Sequence, residues 1–239
     1  MDGTELAARF SYITNSLGFC GPEEASGQFI NYIMGKGSPE KVESSIKKFE
    51  GLYPYLSSIA EKSKKHLLDY EVVEAYWIGN KLLDDFNDMD MKLIVTKLMQ
   101  RGLPKSIGQK LIDEIPSGFL PHHNFNVFYV GVGKTTGSVE TTLQNMDNCR
   151  VSWGRVVEVL KDKLIVQAQP LKKQNGNFSF GEEETKTAMF ILEMLPDVKK
   201  GDVVALHWGF APLALTNIQL ENLKEYTNRI FEVMNNLNS

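Results

Sequence analysis

Along the first half of the chain, apolar residues recur at the three- and four-residue spacing of helices that bury one face. Leu6, Phe10, Ile13 and Leu17 follow i, i+4, i+7, i+11, and Gly18 stands where such a helix would stop. Ser38-Pro39 predicts another helix start, serine as N-cap and proline at the first helical position, ahead of the stripe Val42, Ile46, Phe49. Val73, Tyr76, Trp77 and Leu83 share one side of residues 70–86, and Met91, Ile94 and Leu98 repeat the spacing. Pro104 opens a short helix carrying Ile107, Leu111 and Ile115. Residues 1–116 are therefore expected to form an α-helical bundle with short connections.

Past Pro116 the pattern changes. Residues 125–132 are a dense aromatic and β-branched run, which predicts a buried strand. The polar stretch 138–148 predicts a short helix, so 117–148 reads as a linking strand and helix segment. Residues 155–160 and 164–169 flank Lys161-Asp162-Lys163 and predict a hairpin, with further strands at 188–193 and 203–208. Residues 172–184 are polar, contain Asn175-Gly176-Asn177, and predict a long turn. Thr216 and Gln219 have capping-box spacing and start a last helix striped by Leu220, Leu223, Thr227, Ile230, Met234 and Leu237. That stripe predicts packing against the barrel or the bundle, with a dimer seam as the alternative. The expected fold class is α+β: an N-terminal α-helical bundle, then a small OB-like β-barrel with a C-terminal helix over 149–239.

Composition narrows the function classes. The 239 residues are 42% hydrophobic and 23% charged, ordinary for a globular protein with a core. A net charge of −4 and a pI near 5.7 weigh against nucleic-acid or anionic-membrane binding. The most apolar run, 203–215, is broken by His207, Gly209 and Pro212 and is too short to span a bilayer. No secretory leader pattern is present, so a cytoplasmic location is expected. Two distant cysteines, Cys20 and Cys149, imply no disulfide framework, and Cys20 has no visible partner.

The candidate chemistry centres on Cys149, at the entrance to the first barrel strand, and His207, near the end of the last. In a barrel of short strands these positions become neighbours. A thiolate and an imidazole suit iron, zinc or copper, and they are equally the pair that activates a cysteine nucleophile. His122 and His123 are consecutive and would face opposite sides of a strand, leaving one to extend the ligand set toward Cys149. Residues 131–137, Gly-Val-Gly-Lys-Thr-Thr-Gly, follow a predicted strand as a phosphate-binding loop does, although Phe128 stands where the full pattern has glycine. Gly131, Gly133, Lys134 and Thr135 are thus a candidate anion site.

Two stretches carry a family likeness. Cys149-Arg150-Val151-Ser152-Trp153-Gly154-Arg155-Val156-Val157-Glu158-Val159 resembles the opening of the HypC/HupF hydrogenase-maturation chaperones, with Trp153 in place of the family's proline. Val198-Lys199-Lys200-Gly201-Asp202-Val203-Val204-Ala205-Leu206-His207-Trp208-Gly209-Phe210-Ala211 resembles their second signature. The resemblance implies a carrier of an iron–cyanide–carbonyl unit, with Cys149 and His207 as metal ligands. It further implies protein partners in a nickel–iron metal-centre assembly pathway. In the family the cysteine opens the mature chain, whereas here it follows a helical domain. The alternatives are an enzyme that binds a phosphorylated ligand at the 131–136 loop or uses Cys149 as nucleophile, and a barrel that binds protein or nucleic acid.

Overall fold

The computed structural model describes residues 1–237. Seven helices come first: α1 (Gly3–Ser16), α2 (Ala25–Ile33), α3 (Pro39–Ile46), α4 (Tyr53–Ser63), α5 (Tyr70–Trp77), α6 (Asp88–Met99) and α7 (Lys105–Glu114), with a 3-10 turn at Lys81–Leu83. Local chemistry sets their ends. The Asp2 and Asn87 side chains accept backbone N–H groups of the first turns of α1 and α6, and Pro39 occupies the first turn of α3. Gly18, at φ 71°, supplies the left-handed residue just beyond α1.

The run at 125–132 is not a strand. α8 is one turn, His123–Phe125, continued by a π-helix, Asn126–Gly131. Phe125, Val127, Phe128 and Val130 are all buried and only Asn126 and Tyr129 are partly exposed, so the pattern does not distinguish a buried strand from a buried helix. π-Helical turns are rare and recur beside functional sites. α9 (Leu143–Cys149) then leads into the strands.

Strands β1 (Ser152–Val159), β2 (Lys163–Ala168), β5 (Glu184–Met189) and β6 (Val203–Leu206) form one antiparallel sheet in the order β5-β2-β1-β6. A bulge lies in β1 between Val156 and Glu158. A bridge from Met189 to Phe210 ties the chain beyond β6 to the end of β5. The α+β class and the C-terminal helix are as expected; among the described residues the OB-like barrel expected over 149–239 does not close, and its strands form a small antiparallel sheet. β6 is flanked on its far side by residues 213–215, through the Val204–Ala214 bridge and the Ala205–Leu213 and Leu215–Val203 backbone hydrogen bonds. β3 (Leu171–Gln174) and β4 (Asn177–Phe180) form a separate hairpin where a plain turn was expected. Asn175 and Gly176 both take positive φ, 52° and 86°, as a two-residue hairpin turn with strand-matching twist requires. α10 (Asn217–Asn236) carries the capping box of Thr216 and Gln219 and buries Leu223, Thr227, Ile230 and Met234. Among the described residues no helix is long and apolar enough to cross a membrane.

One hydrophobic core joins the two ends of the chain, with Leu6, Phe10 and Tyr76 in the same cluster as Val151, Ala205, Ile230 and Met234. A second, smaller core under the sheet contains Val156, Leu164, Val166, Val204 and Phe210, and Ile30 and Ile33 of α2 pack on it. α1 is the bridge between them. Arg9 donates to the Met194 carbonyl at 2.6 Å, and the carbonyl of Phe10 meets the His207 ring.

Candidate metal centre

The sheet register explains how Cys149 and His207 meet. β1 pairs antiparallel with β6, Ser152 opposite Leu206, so the residues just before β1 and just after β6 lie side by side. The β1–β6 ladder makes the two positions neighbours, as was expected of the barrel. α8 supplies a third group: ligand atoms of His123, Cys149 and His207 all lie within 4.8 Å of one another, and all three residues are buried. Cys149 Sγ is 3.8 Å from His123 Nε2.

His122 lies outside the cluster. It is the N-cap of α8, and its Nδ1 accepts the Asn124 N–H at 3.1 Å. His122 precedes the helix in extended conformation and His123 begins it, so the two rings face different surroundings.

Backbone carbonyls constrain the tautomers of the rings in the cluster. The Phe10 carbonyl only accepts, so His207 Nδ1 carries the proton and donates to it at 3.3 Å. His207 Nε2 is then a buried lone pair with no hydrogen bond of good geometry, the Cys149 carbonyl being the second backbone group that meets this ring. His123 Nε2 donates to the Cys149 carbonyl at 2.8 Å, and its Nδ1 accepts from the Tyr76 hydroxyl at 2.9 Å. Tyr76 also reaches the Gly51 carbonyl at 3.4 Å. Its hydroxyl can therefore reverse its role toward Nδ1 and free Nε2 for coordination.

Electrostatics keeps these groups neutral. Burial drives the His123 pKa down to about 4 and that of His207 well below the usual value, the neighbouring His123 adding to the latter. Burial pushes the Cys149 thiol up, Cys20 adds to this, and a hydrogen bond from the Trp208 side chain works the other way. Neutral imidazoles are ready ligands, whereas a protonated, desolvated thiol is a poor nucleophile without a metal to remove its proton.

A cavity of about 50 Å³ opens on the cluster. The 131–136 loop forms part of its wall, so the two candidate sites read separately in the sequence share one space. Gly131, Gly133 and Thr135 line it; Lys134 is exposed and does not. Sites that bury a nucleotide-sized ligand run to roughly 300–1,000 Å³. A few atoms fit here. Cys20 lines the same cavity, its thiol pushed up to about 12 by burial and by Glu50. Trp153 packs on Phe180, and the side chain beside the thiol is that of Trp208, a residue held at φ 52° with its backbone N–H on the Asn148 carbonyl.

The donor set fits a metal ion. A tetrahedral centre with bonds of about 2.0–2.3 Å spaces nitrogen and sulfur ligands roughly 3.4–3.6 Å apart. The observed 3.8 Å for one pair is close to that, and the 4.8 Å limit on the set leaves a contraction of about 1 Å. Sequence reasoning missed Tyr76, Trp77 and Cys20 as parts of this site, because each reaches it only through tertiary packing.

These features define an α+β protein with a buried thiol–imidazole cluster at the junction of helices and sheet. A model described as a family of unknown function (DUF6390) matches residues 1–239, and the chain belongs to that family. Searches of the curated proteins and of the solved structures found no match.

Proposed function

We propose that this protein binds a single transition-metal ion at His123, Cys149 and His207 and acts as a metal-cofactor carrier or maturation chaperone. The observation that carries the reading is the convergence of three neutral, buried ligand groups, one of them a histidine lone pair with no hydrogen bond of good geometry. Iron is the metal favoured by the HypC/HupF resemblance, and the same resemblance supports a role in nickel–iron hydrogenase assembly with protein partners. One thiolate and two imidazoles accommodate iron, zinc or copper, and a three-ligand protein set leaves room for groups brought by the cargo. When bound, the metal would supply Lewis acidity and hold such groups. The protein excludes water, constrains the ring tautomers through Tyr76 and the Phe10 carbonyl, and takes up the metal with release of the Cys149 proton.

The test is anaerobic titration with Fe(II) or Co(II), followed by metal analysis after gel filtration. Wild type is expected to retain about one equivalent, with a thiolate charge-transfer band for cobalt. Cys149→Ala, His123→Ala and His207→Ala should each lose it while keeping the far-ultraviolet circular dichroism of the wild type. Unchanged retention in all three folded variants, or none in the wild type, defeats the proposal.

A further inference from the structure

Beyond β6 the chain reverses in a two-residue hairpin turn. His207 and Phe210 exchange both backbone hydrogen bonds, at 2.9 and 3.0 Å, with Trp208 and Gly209 at the corners. Both corner residues are left-handed, at φ 52° and 68°, the pair of positive angles that a type I′ turn requires. Asparagine followed by glycine is the favoured sequence there, because both residues tolerate this conformation. A bulky tryptophan does not, and strain of this kind persists only where the surroundings impose it.

The contacts of Trp208 show what imposes it. Its ring packs on Phe19 with centroids 4.6 Å apart, its backbone N–H donates to the Asn148 carbonyl at 2.6 Å, and its side chain hydrogen-bonds the Cys149 thiol. On one side of it lies the cavity of about 50 Å³ at the metal cluster. On the other lies a groove of about 490 Å³ between α9 and β5, whose walls include Asn148, Ser152, Glu184 and Thr187. His207 and Trp208 line both spaces, and no other lining residue of either is shared. One imidazole and one indole therefore separate the cavity that holds the thiol from the groove. Gly209 has open space where a side chain would stand, which leaves this corner of the turn room to move.

We infer that Trp208 is a door between the groove and the cavity, and that a divalent metal ion enters through it to reach Cys149 and His207. Swung out at the Trp208-Gly209 corner, the indole joins the two spaces; swung in, it seals the site from water. The two hydrogen bonds between His207 and Phe210 hold the ends of the turn, so the opening stays local. Asn148, Ser152 and Glu184 offer oxygen atoms along the groove, which suit a hydrated cation in transit, whereas the imidazoles and thiol inside hold a transition metal more tightly. The identity of what passes rests on the metal reading above; the door itself rests on the strained turn and the two spaces. The rival route runs between Phe19 and the glycine loop, where Ser138 donates to the Phe19 carbonyl at 2.8 Å.

The test is alkylation of the metal-free protein with iodoacetamide, each cysteine being followed separately by peptide mass mapping. Trp208→Asn keeps a turn-competent residue at the corner and removes the ring, and Phe19→Ala removes the ring's support. Cys149 labelling should rise about tenfold or more in Trp208→Asn, the factor for a closure worth about 1.4 kcal/mol, while Cys20 labelling stays as in wild type. Phe19→Ala should raise it by a smaller factor. In wild type the Cys149 rate should not change with urea below the unfolding transition, as befits a local opening. Equal Cys149 rates in wild type and Trp208→Asn, or a wild-type rate that follows global unfolding, overturns the door. Faster Cys149 labelling in Ser138→Ala but not in Trp208→Asn assigns the route to the glycine loop and overturns it as well. Should Trp208→Asn fail to fold, Phe19→Ala and the urea dependence decide. Co(II) uptake should be faster in Trp208→Asn than in wild type; equal uptake rates overturn passage of the ion through the door. Failure of wild type to bind cobalt removes the metal reading, and alkylation then judges the door by itself.

Discussion

His123 sits between two groups with different demands. The Cys149 carbonyl requires a proton on Nε2, while coordination through that nitrogen requires its removal. Tyr76 resolves the conflict, because its hydroxyl can donate to Nδ1 in one state and accept from Nδ1–H in the other, turning then to the Gly51 carbonyl. Partners of this kind behind a metal ligand are worth about 10–100-fold in affinity. Tyr76→Phe is therefore expected to weaken Co(II) binding by that factor while leaving its stoichiometry at one, as read by competition with a chelator. Asn124 works at the same scale. It accepts the Val151 N–H at 3.1 Å and donates to Thr227 at 2.9 Å, holding the residues after Cys149 against α10. Replacing it with alanine strands two buried groups, and a loss of about 2–4 kcal/mol in urea unfolding is expected.

Among the elements, the turn that follows the π-helix is the most constrained. Gly133 has φ 77°, and a Cβ there would collide with the Val139 carbonyl. Gly137 has a similar φ of 73° with open space around it. Alanine at either position takes on the left-handed conformation at about 1–2 kcal/mol. Gly137→Ala should cost that much. Gly133→Ala should cost at least about 2 kcal/mol more, because the backbone of the cavity wall has to move. Comparison of the two by chemical denaturation separates conformation from contact. Equal losses would mean that the wall yields freely.

For the whole molecule, the central fact is that one core includes residues from both ends of the chain. A single cooperative unfolding transition is expected, with circular dichroism and tryptophan fluorescence superimposing. Two separated transitions would show that helices and sheet hold independently. The buried histidines give the molecule an acid limit. His122 and His123 titrate at about 3 and about 4 in the fold, chiefly through burial, and His207 is also held well below its usual value. The unfolded chain takes up protons near pH 6.5 and the folded chain does not, so the unfolded state binds more protons between these limits. Stability is thus at its full value above about pH 6.5 and falls as pH drops toward 4. Its slope approaches about 1.4 kcal/mol per pH unit for each histidine, about 4 for the three. Denaturant midpoints measured from pH 7.5 to 4.5 check this, and a flat profile would mean that the rings are solvated.

Local chemistry made much of the architecture legible. The Ser38-Pro39 start, the Thr216–Gln219 capping box and the β1–β2 hairpin each depend on residues a few positions apart, and each stands where its pattern predicts. Where local pattern is degenerate, the reading went astray. The π-helix is mostly buried and too short to show a periodicity, and Lys172, Lys173 and Gln174 hid a strand behind polar side chains. The site divides in the same way. Cys149 and His207 were visible because distinctive residues flank them in the chain. His123 was visible only as one of two adjacent histidines, since choosing between them needs the direction of a side chain. The sequence by itself picked out Cys149 and His207 as residues with ligand chemistry, through their side-chain types and neighbours. Only the tertiary structure decided that His123 rather than His122 joins them, that the glycine loop walls the same cavity, and that Ser11, Tyr76 and Trp77 reach it. The physical reason is that packing and the β1–β6 register join residues far apart along the chain, and no spacing within the sequence records those contacts.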